Sequence, residues 1–184
     1  MPKGLLPAAV TAVLALAVFA AMGMHASANP INTGPFGGTG ETMGTECFPI
    51  SHPGAVVTDG FNEVQNGAAA VAVIDRITLV DPHGLRLLTA WAVPARQLLY
   101  GVEGGYPPAS RIAGLRWADR QRATNARVPH TGADAATNLL LVISTSGLRA
   151  TDRGINVYYH VGHQRYHLRT GVGLTTVVAS KCTA

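Results

Sequence analysis

Apolar residues in this chain come in short runs closed at both ends by turn formers, a spacing that suits strands and leaves little room for helices. Val56-Val57 opens the first run, and Asn66-Gly67, a strong turn dipeptide, closes it. Ala70 to Val80 is rich in Val and Ile and reads as a long strand. Asp81-Pro82-His83-Gly84 then makes a turn, with Gly84 able to supply a positive φ. Beyond it Leu85, Leu87, Thr89, Trp91 and Val93 alternate, which places them on one face of a half-buried strand and Arg86 on the other. Residues 70–93 are most simply an antiparallel hairpin. Leu139 to Ile143 is a continuous apolar run, the pattern of a strand buried on both faces. Ile155 to His160 and Arg165 to Thr170 form a second hairpin about Gly162-His163, and Leu174 to Ala179 makes a last strand.

Pro94 to Pro129 is less regular. Tyr106-Pro107-Pro108 excludes a helix at that point, whereas Leu115 to Ala123 is open to a short helix or a loop. About seven strands, few helical periods and no internal repeat predict a single, mostly β domain, an antiparallel β-sandwich with at most one short helix.

Ahead of this domain stands a segment of another kind. Residues 1–28 carry Lys3, an apolar run from Leu5 to Met24, and the small residues Ala26-Ser27-Ala28. That is the order of a secretory signal peptide, with cleavage after Ala28 and a mature chain beginning at Asn29. The alternative is an uncleaved anchor, since about 20 apolar residues can span a bilayer. The run is rich in weakly inserting alanine and has no basic flank on its far side, which favours cleavage. Residues 29–46 are dense in Gly and Pro and nearly devoid of large apolar side chains, so they read as a flexible leader. The β-sandwich is then assigned to residues 47–184.

Cys47 and Cys182, the only two cysteines, lie near the ends of that domain. In an oxidising compartment such a pair forms a disulfide, and closing so long a loop is worth roughly 4–5 kcal/mol in the chain-entropy account. Free thiols or a metal site are the alternatives, the latter without the clustered CxxC spacing of zinc sites. The formal charge of +4 with His neutral is too small to imply nucleic acid. Arginine greatly outnumbers lysine, a bias of GC-rich genomes.

Three pieces, Leu79-Val80-Asp81-Pro82-His83-Gly84-Leu85, Ala90-Trp91-Ala92-Val93-Pro94 and Gly105-Tyr106-Pro107-Pro108, resemble uncharacterised secreted actinobacterial proteins with an immunoglobulin-like sandwich. The resemblance implies that fold and export. It brings no activity, cofactor or catalytic residue to carry over.

Three groups of side chains could carry function. His160 and His167 fall on one face of the second hairpin as diagonal neighbours, where two imidazoles could take copper or zinc. Arg165 opposes a cation there, and a polar outer face is the plainer reading. Arg111, Arg116, Arg120, Arg122 and Arg127 cluster around Trp117 and could receive an anionic glycan, a lipid head group or a phosphate. A solvated basic face is the alternative. Among the aromatics, Trp91 reads as core by its place in the alternation, Tyr159 and Tyr166 as a cross-strand pair, and Tyr106 as an exposed contact for saccharides. No GxSxG, HExxH, Walker or GxGxxG pattern is present, and the acids are scattered. The chain therefore reads as a non-catalytic extracellular or cell-envelope binding module, without a cofactor, whose partner would be an envelope glycan or protein. Membrane contact would come only through an uncleaved signal segment. A metal-binding protein using the histidine hairpin is the alternative.

Overall fold

The computed structural model describes residues 32–38, 44–95, 100–108, 117–131 and 136–182. The signal segment with its cleavage site, and Arg111 and Arg116 of the arginine cluster, lie outside them. The described residues form thirteen strands: β1 Phe36–Gly38, β2 Thr45–Ile50, β3 Val56–Asn66, β4 Ala72–Leu79, β5 Leu85–Ala95, β6 Val102–Gly104, β7 Gln121–Arg122, β8 Arg127–Val128, β9 Ala136–Thr145, β10 Arg149–Thr151, β11 Ile155–Val161, β12 Gln164–Arg169 and β13 Gly173–Val178. One layer is the sheet β1-β3-β9-β5-β7, with β6 also on β3. Facing it are two smaller sheets, β12-β11-β4-β8 and β10-β13-β2. Every pairing is antiparallel except β13 with β2, which run parallel. A mostly β, antiparallel sandwich is thus what the chain forms.

The core fills the space between the layers. Val57, Val64, Leu139, Leu141 and Ile143 come from one side, and Ile74, Ile77, Val157, Tyr159 and Leu174 from the other. β9 is the middle of the large sheet and is buried along nearly its whole length, as its continuous apolar run requires. The turn before β5 needs the one residue that accepts its geometry without strain: Gly84 has φ of 71°. The second hairpin has the register anticipated from its sequence, with Tyr158 opposite His167, Tyr159 opposite Tyr166 and His160 opposite Arg165.

Three expectations are corrected. β4 and β5 are not a hairpin, because β4 pairs with β11 and β8 while β5 pairs with β9 and β7, so the chain crosses between layers at Asp81–Gly84. The alternation in β5 does not run through. The register against β9 passes from Leu87↔Ile143 directly to Thr89↔Val142, so Leu88 is an extra residue. Such a bulge moves every later side chain to the opposite face. Leu85, Leu87, Ala90 and Ala92 consequently face the main core, and Trp91 and Val93 turn outward. The segment 115–123 holds no more than a single 3-10 turn, Trp117–Asp119, among its described residues.

The third correction concerns the leader. Phe36 is only 5% exposed. Its ring stacks on Tyr159 at 3.8 Å, and its backbone N–H donates to the Tyr159 hydroxyl at 3.0 Å. Asn32 N–H donates to the His167 carbonyl while Arg169 N–H donates to the Asn32 side chain. The described residues 32–38 are therefore a strap that ties the β12 edge of one layer to β3 of the other, and the folded unit extends upstream of Cys47. The strap docks because one aromatic ring can do what the rest of this polar segment cannot, namely remove a large apolar area from water.

Cys47 and Cys182 form a disulfide with Cα atoms 6.0 Å apart. Cys47 lies in β2, and Cys182 lies just past the end of β13, β2's parallel neighbour. Among the described residues no helix is long and apolar enough to cross a membrane.

Candidate functional site

The bulge at Leu88 has a direct consequence on the outer face of the large sheet. Trp91 and Val93 meet Tyr100, Leu140 and Trp117 there in a second, small apolar cluster. Gly60 makes room for it. A Cβ at that position would stand 2.5 Å from Leu140 and 2.6 Å from Tyr100, closer than atoms pack. Trp117, on its 3-10 turn, meets Trp91 edge-on at 5.9 Å, and Tyr106 meets Trp117 edge-on at 6.1 Å. Tyr106 follows β6, where Gly105 is pinned to β3 by its own N–H to the Val56 carbonyl and by the Thr58 hydroxyl to its carbonyl.

Two arginines complete this ladder. The Arg120 guanidinium lies 4.6 Å from the Trp117 ring centre and 5.3 Å from that of Trp91, and Arg122 lies 4.8 Å from Trp91. Arg120 also donates to the Trp117 carbonyl at 3.1 Å, and Arg122 to the Thr89 hydroxyl at 2.8 Å. Each stack is worth about 0.5–1 kcal/mol at an exposed site, enough to restrict the side chain while leaving N–H groups at the guanidinium edge for a ligand. Among the described residues neither Arg120 nor Arg122 is ion-paired with a carboxylate. Tyr106 is 42% exposed. Beside the ladder, the Tyr100 hydroxyl donates a short hydrogen bond to Glu103; burial and that bond push the Tyr100 phenol above its ordinary range.

Arg127 does not join the ladder. β7 is an edge strand of two residues, so its side chains alternate: Arg122 points to Trp91, and Gln121 points to a cleft on the other side. That cleft, of about 320 Å³, has Ala92 and Ala136 in its floor and Gln121, Arg127 and His130 at its rim.

The histidines are placed apart. His160 and His167 do share the outer face of the β12-β11-β4-β8 sheet, but each has a protein partner. His160 Nδ1 lies 2.7 Å from an Asp75 carboxylate oxygen, and His167 Nε2 lies 2.9 Å from the Asn156 side-chain oxygen. His167 stacks on Tyr158 at 4.5 Å, and Arg76 covers Tyr158 at 4.3 Å. Partial burial, then Arg169 and Arg76, hold the His167 pKa below its usual value. Among the described residues no three or more His, Cys, Asp or Glu side chains come together as a metal site. His52, His83 and His130 each set Nδ1 against a backbone carbonyl, of Pro53, Asp81 and Ala68.

A polar group that the sequence did not single out lies in the interior. Asp59 accepts from the Phe61 N–H at 3.0 Å and from Asn62 Nδ2 at 3.4 Å, and Asn62 in turn accepts from the Thr170 hydroxyl at 2.6 Å. Asp152 accepts from the N–H groups of Gly154 and Leu174. Burial, with further pushes from Asp152 and Glu46, raises the Asp59 carboxyl to about 7 against the lowering by Phe61. This network fastens the β3 bulge to the ends of β11 and β12, and Asp59 is sealed from solvent at 3% exposure. Comparison with protein families, with characterised proteins and with solved structures found no match to this chain.

Proposed function

We propose that this chain is an exported, non-catalytic β-sandwich of the immunoglobulin-like class that binds an anionic glycan through Tyr106, Trp117, Arg120 and Arg122. The observation that carries the reading is the Arg120 guanidinium stacked on Trp117 and near Trp91, next to an exposed Tyr106. Aromatic side chains give the C–H faces of sugar rings an apolar platform with a polar tip. Arginines held flat beside them offer forked donors matched to carboxylate, sulfate or phosphate substituents. Two of the five anticipated arginines, Arg120 and Arg122, and the anticipated tyrosine thus converge on one surface, with two tryptophans that join them. A structural cover for the Trp91 indole is the competing account. It explains the stacking but gives no reason for Tyr106 to stand out in water.

Export is part of the proposal and rests on the order of Lys3, the apolar run and Ala26-Ser27-Ala28, and on a disulfide that suits an oxidising compartment. The test uses protein recovered from the medium or envelope, whose first residue should be Asn29. Affinity electrophoresis through gels containing a uronic-acid polymer or neutral dextran should show retardation by the acidic polymer alone. Tyr106→Ala and Arg120→Gln should each weaken it by about tenfold, as loss of one good contact of about 1.4 kcal/mol does. Equal migration in all gels, or full retention by both variants, would sink the reading.

A further inference from the structure

We infer that the cleft on the far side of β7 is a separate site for a small hydroxy-carboxylic acid, held by Arg127 and His130. It rests on different residues from the glycan face, so neither reading requires the other.

The cleft exists because its floor is made of small side chains. Ala92 and Ala95 of β5 and Ala136 of β9 line it, Ala95 and Ala136 being register partners at the ends of their strands. Its volume of about 320 Å³ lies at the lower end of ordinary small-molecule sites.

The rim is fixed in advance. Asn66 is fully buried, and its Nδ2 donates to the Val128 carbonyl and to the Ala70 carbonyl, both at 2.9 Å. Its N–H donates to the Thr131 hydroxyl at 2.9 Å, and Thr131 N–H donates to the Asn66 carbonyl at 3.0 Å. Residues on both sides of His130 are thereby tied to the turn after β3. A binding segment held this way loses little freedom when a ligand arrives.

The chemistry on the rim selects the occupant. Among the described residues Arg127 has no carboxylate within ion-pair distance, so its guanidinium is left to a ligand anion. Gln121 Oε1 already accepts from Arg127 N–H at 3.2 Å, which leaves the Gln121 amide hydrogens as donors. His130 Nδ1 lies 3.0 Å from the Ala68 carbonyl. A carbonyl only accepts, so the ring proton sits on Nδ1 and Nε2 of the neutral ring is an acceptor. Two donors and one acceptor above an apolar floor fit a carboxylate with a hydroxyl on a short carbon frame. A single sugar acid has those groups and that size.

The test is isothermal titration of the full mature protein with sodium glucuronate, and with glucose as the uncharged control. Glucuronate should bind and glucose should not. Arg127→Gln should weaken binding at least tenfold while Arg165→Gln, the same loss of charge at the opposite edge of its sheet, leaves it unchanged. Ala136→Leu, which fills the floor without altering charge, should abolish it. Thermal melts show whether each variant is folded, and the conservative Arg127→Lys serves if Gln is not. No heat with glucuronate, or binding kept in both Arg127→Gln and Ala136→Leu, overturns the proposal. Retention of the acidic polymer is read separately, so loss of the glycan reading and loss of this one give different results.

Discussion

Asp59 is a buried acid with two other acids near it. Its folded-state pKa of about 7 stands above the 3.8 of an unburied carboxyl. Between those values the folded chain binds the proton that the unfolded chain has released, so stability falls as pH rises through the window and levels off above it. Asp152 is shifted in the same direction by its own burial. His167, lowered by burial and by Arg169 and Arg76, acts in the opposite sense, since below 6.5 the unfolded chain takes up a proton that the fold resists and stability falls on acidification. Comparing wild type with Asp59→Asn isolates the first effect. In urea titrations the variant should gain on wild type between pH 5 and pH 8, by on the order of a few kcal/mol at most. A wild-type advantage that grows with pH would show that Asp59 is ionised and satisfied in the fold. Asp59 was not legible in the sequence, because a lone acid beside a glycine in a strand carries no sign of burial. Trp91 was misjudged for a related reason. Period-two reading assumes an unbroken ladder, and nothing in Leu87-Leu88-Thr89 announces the extra residue that sends the indole outward.

At the scale of elements, runs with strong local signals were readable. β3, β4, β9, β11, β12 and β13 lie where apolar run and turn chemistry placed them, and the β11–β12 register follows from its tight turn. What could not be read was partnership. Whether β4 continues into β5 or crosses to the other layer depends on the edges that other strands occupy, which local pattern does not encode. The short strands β1, β6, β7, β8 and β10 escape for the same reason, as two or three residues become strand only by lying beside a neighbour. The strap is the clearest instance: composition argued for freedom, and one ring, Phe36, outweighs it. Replacing Phe36 by Ala should cost about 3 kcal/mol in chemical denaturation, and it should expose residues 32–38 to limited proteolysis before the rest unfolds. A cost within 0.5 kcal/mol would place the strap outside the cooperative unit.

The described residues form a two-layer sandwich in which a disulfide joins β2 to the residues just past β13. The end-to-end cysteine pairing was legible from parity and position, and the sandwich from the density of strands and turns. The aromatic and arginine face is legible in sequence only in its parts, since Arg120, Arg122, Trp117 and Tyr106 stand out there but Trp91, which reads as core, does not. The disulfide also decides how the protein answers to force. A pull applied at the two chain ends travels along the backbone to Cys47, through the sulfur bridge, and out at Cys182. The 135 residues of sequence separation between the bridged cysteines carry almost none of that tension. Among the described residues on that line of force, the strap yields by peeling Phe36 from Tyr159. Breaking the bridge would release roughly 450 Å of further extension, at about 3.4 Å for each freed residue. Stretching single molecules before and after reduction should show that long step in the reduced chain alone. The same fold is a rigid bead on a line when oxidised and a spring when reduced.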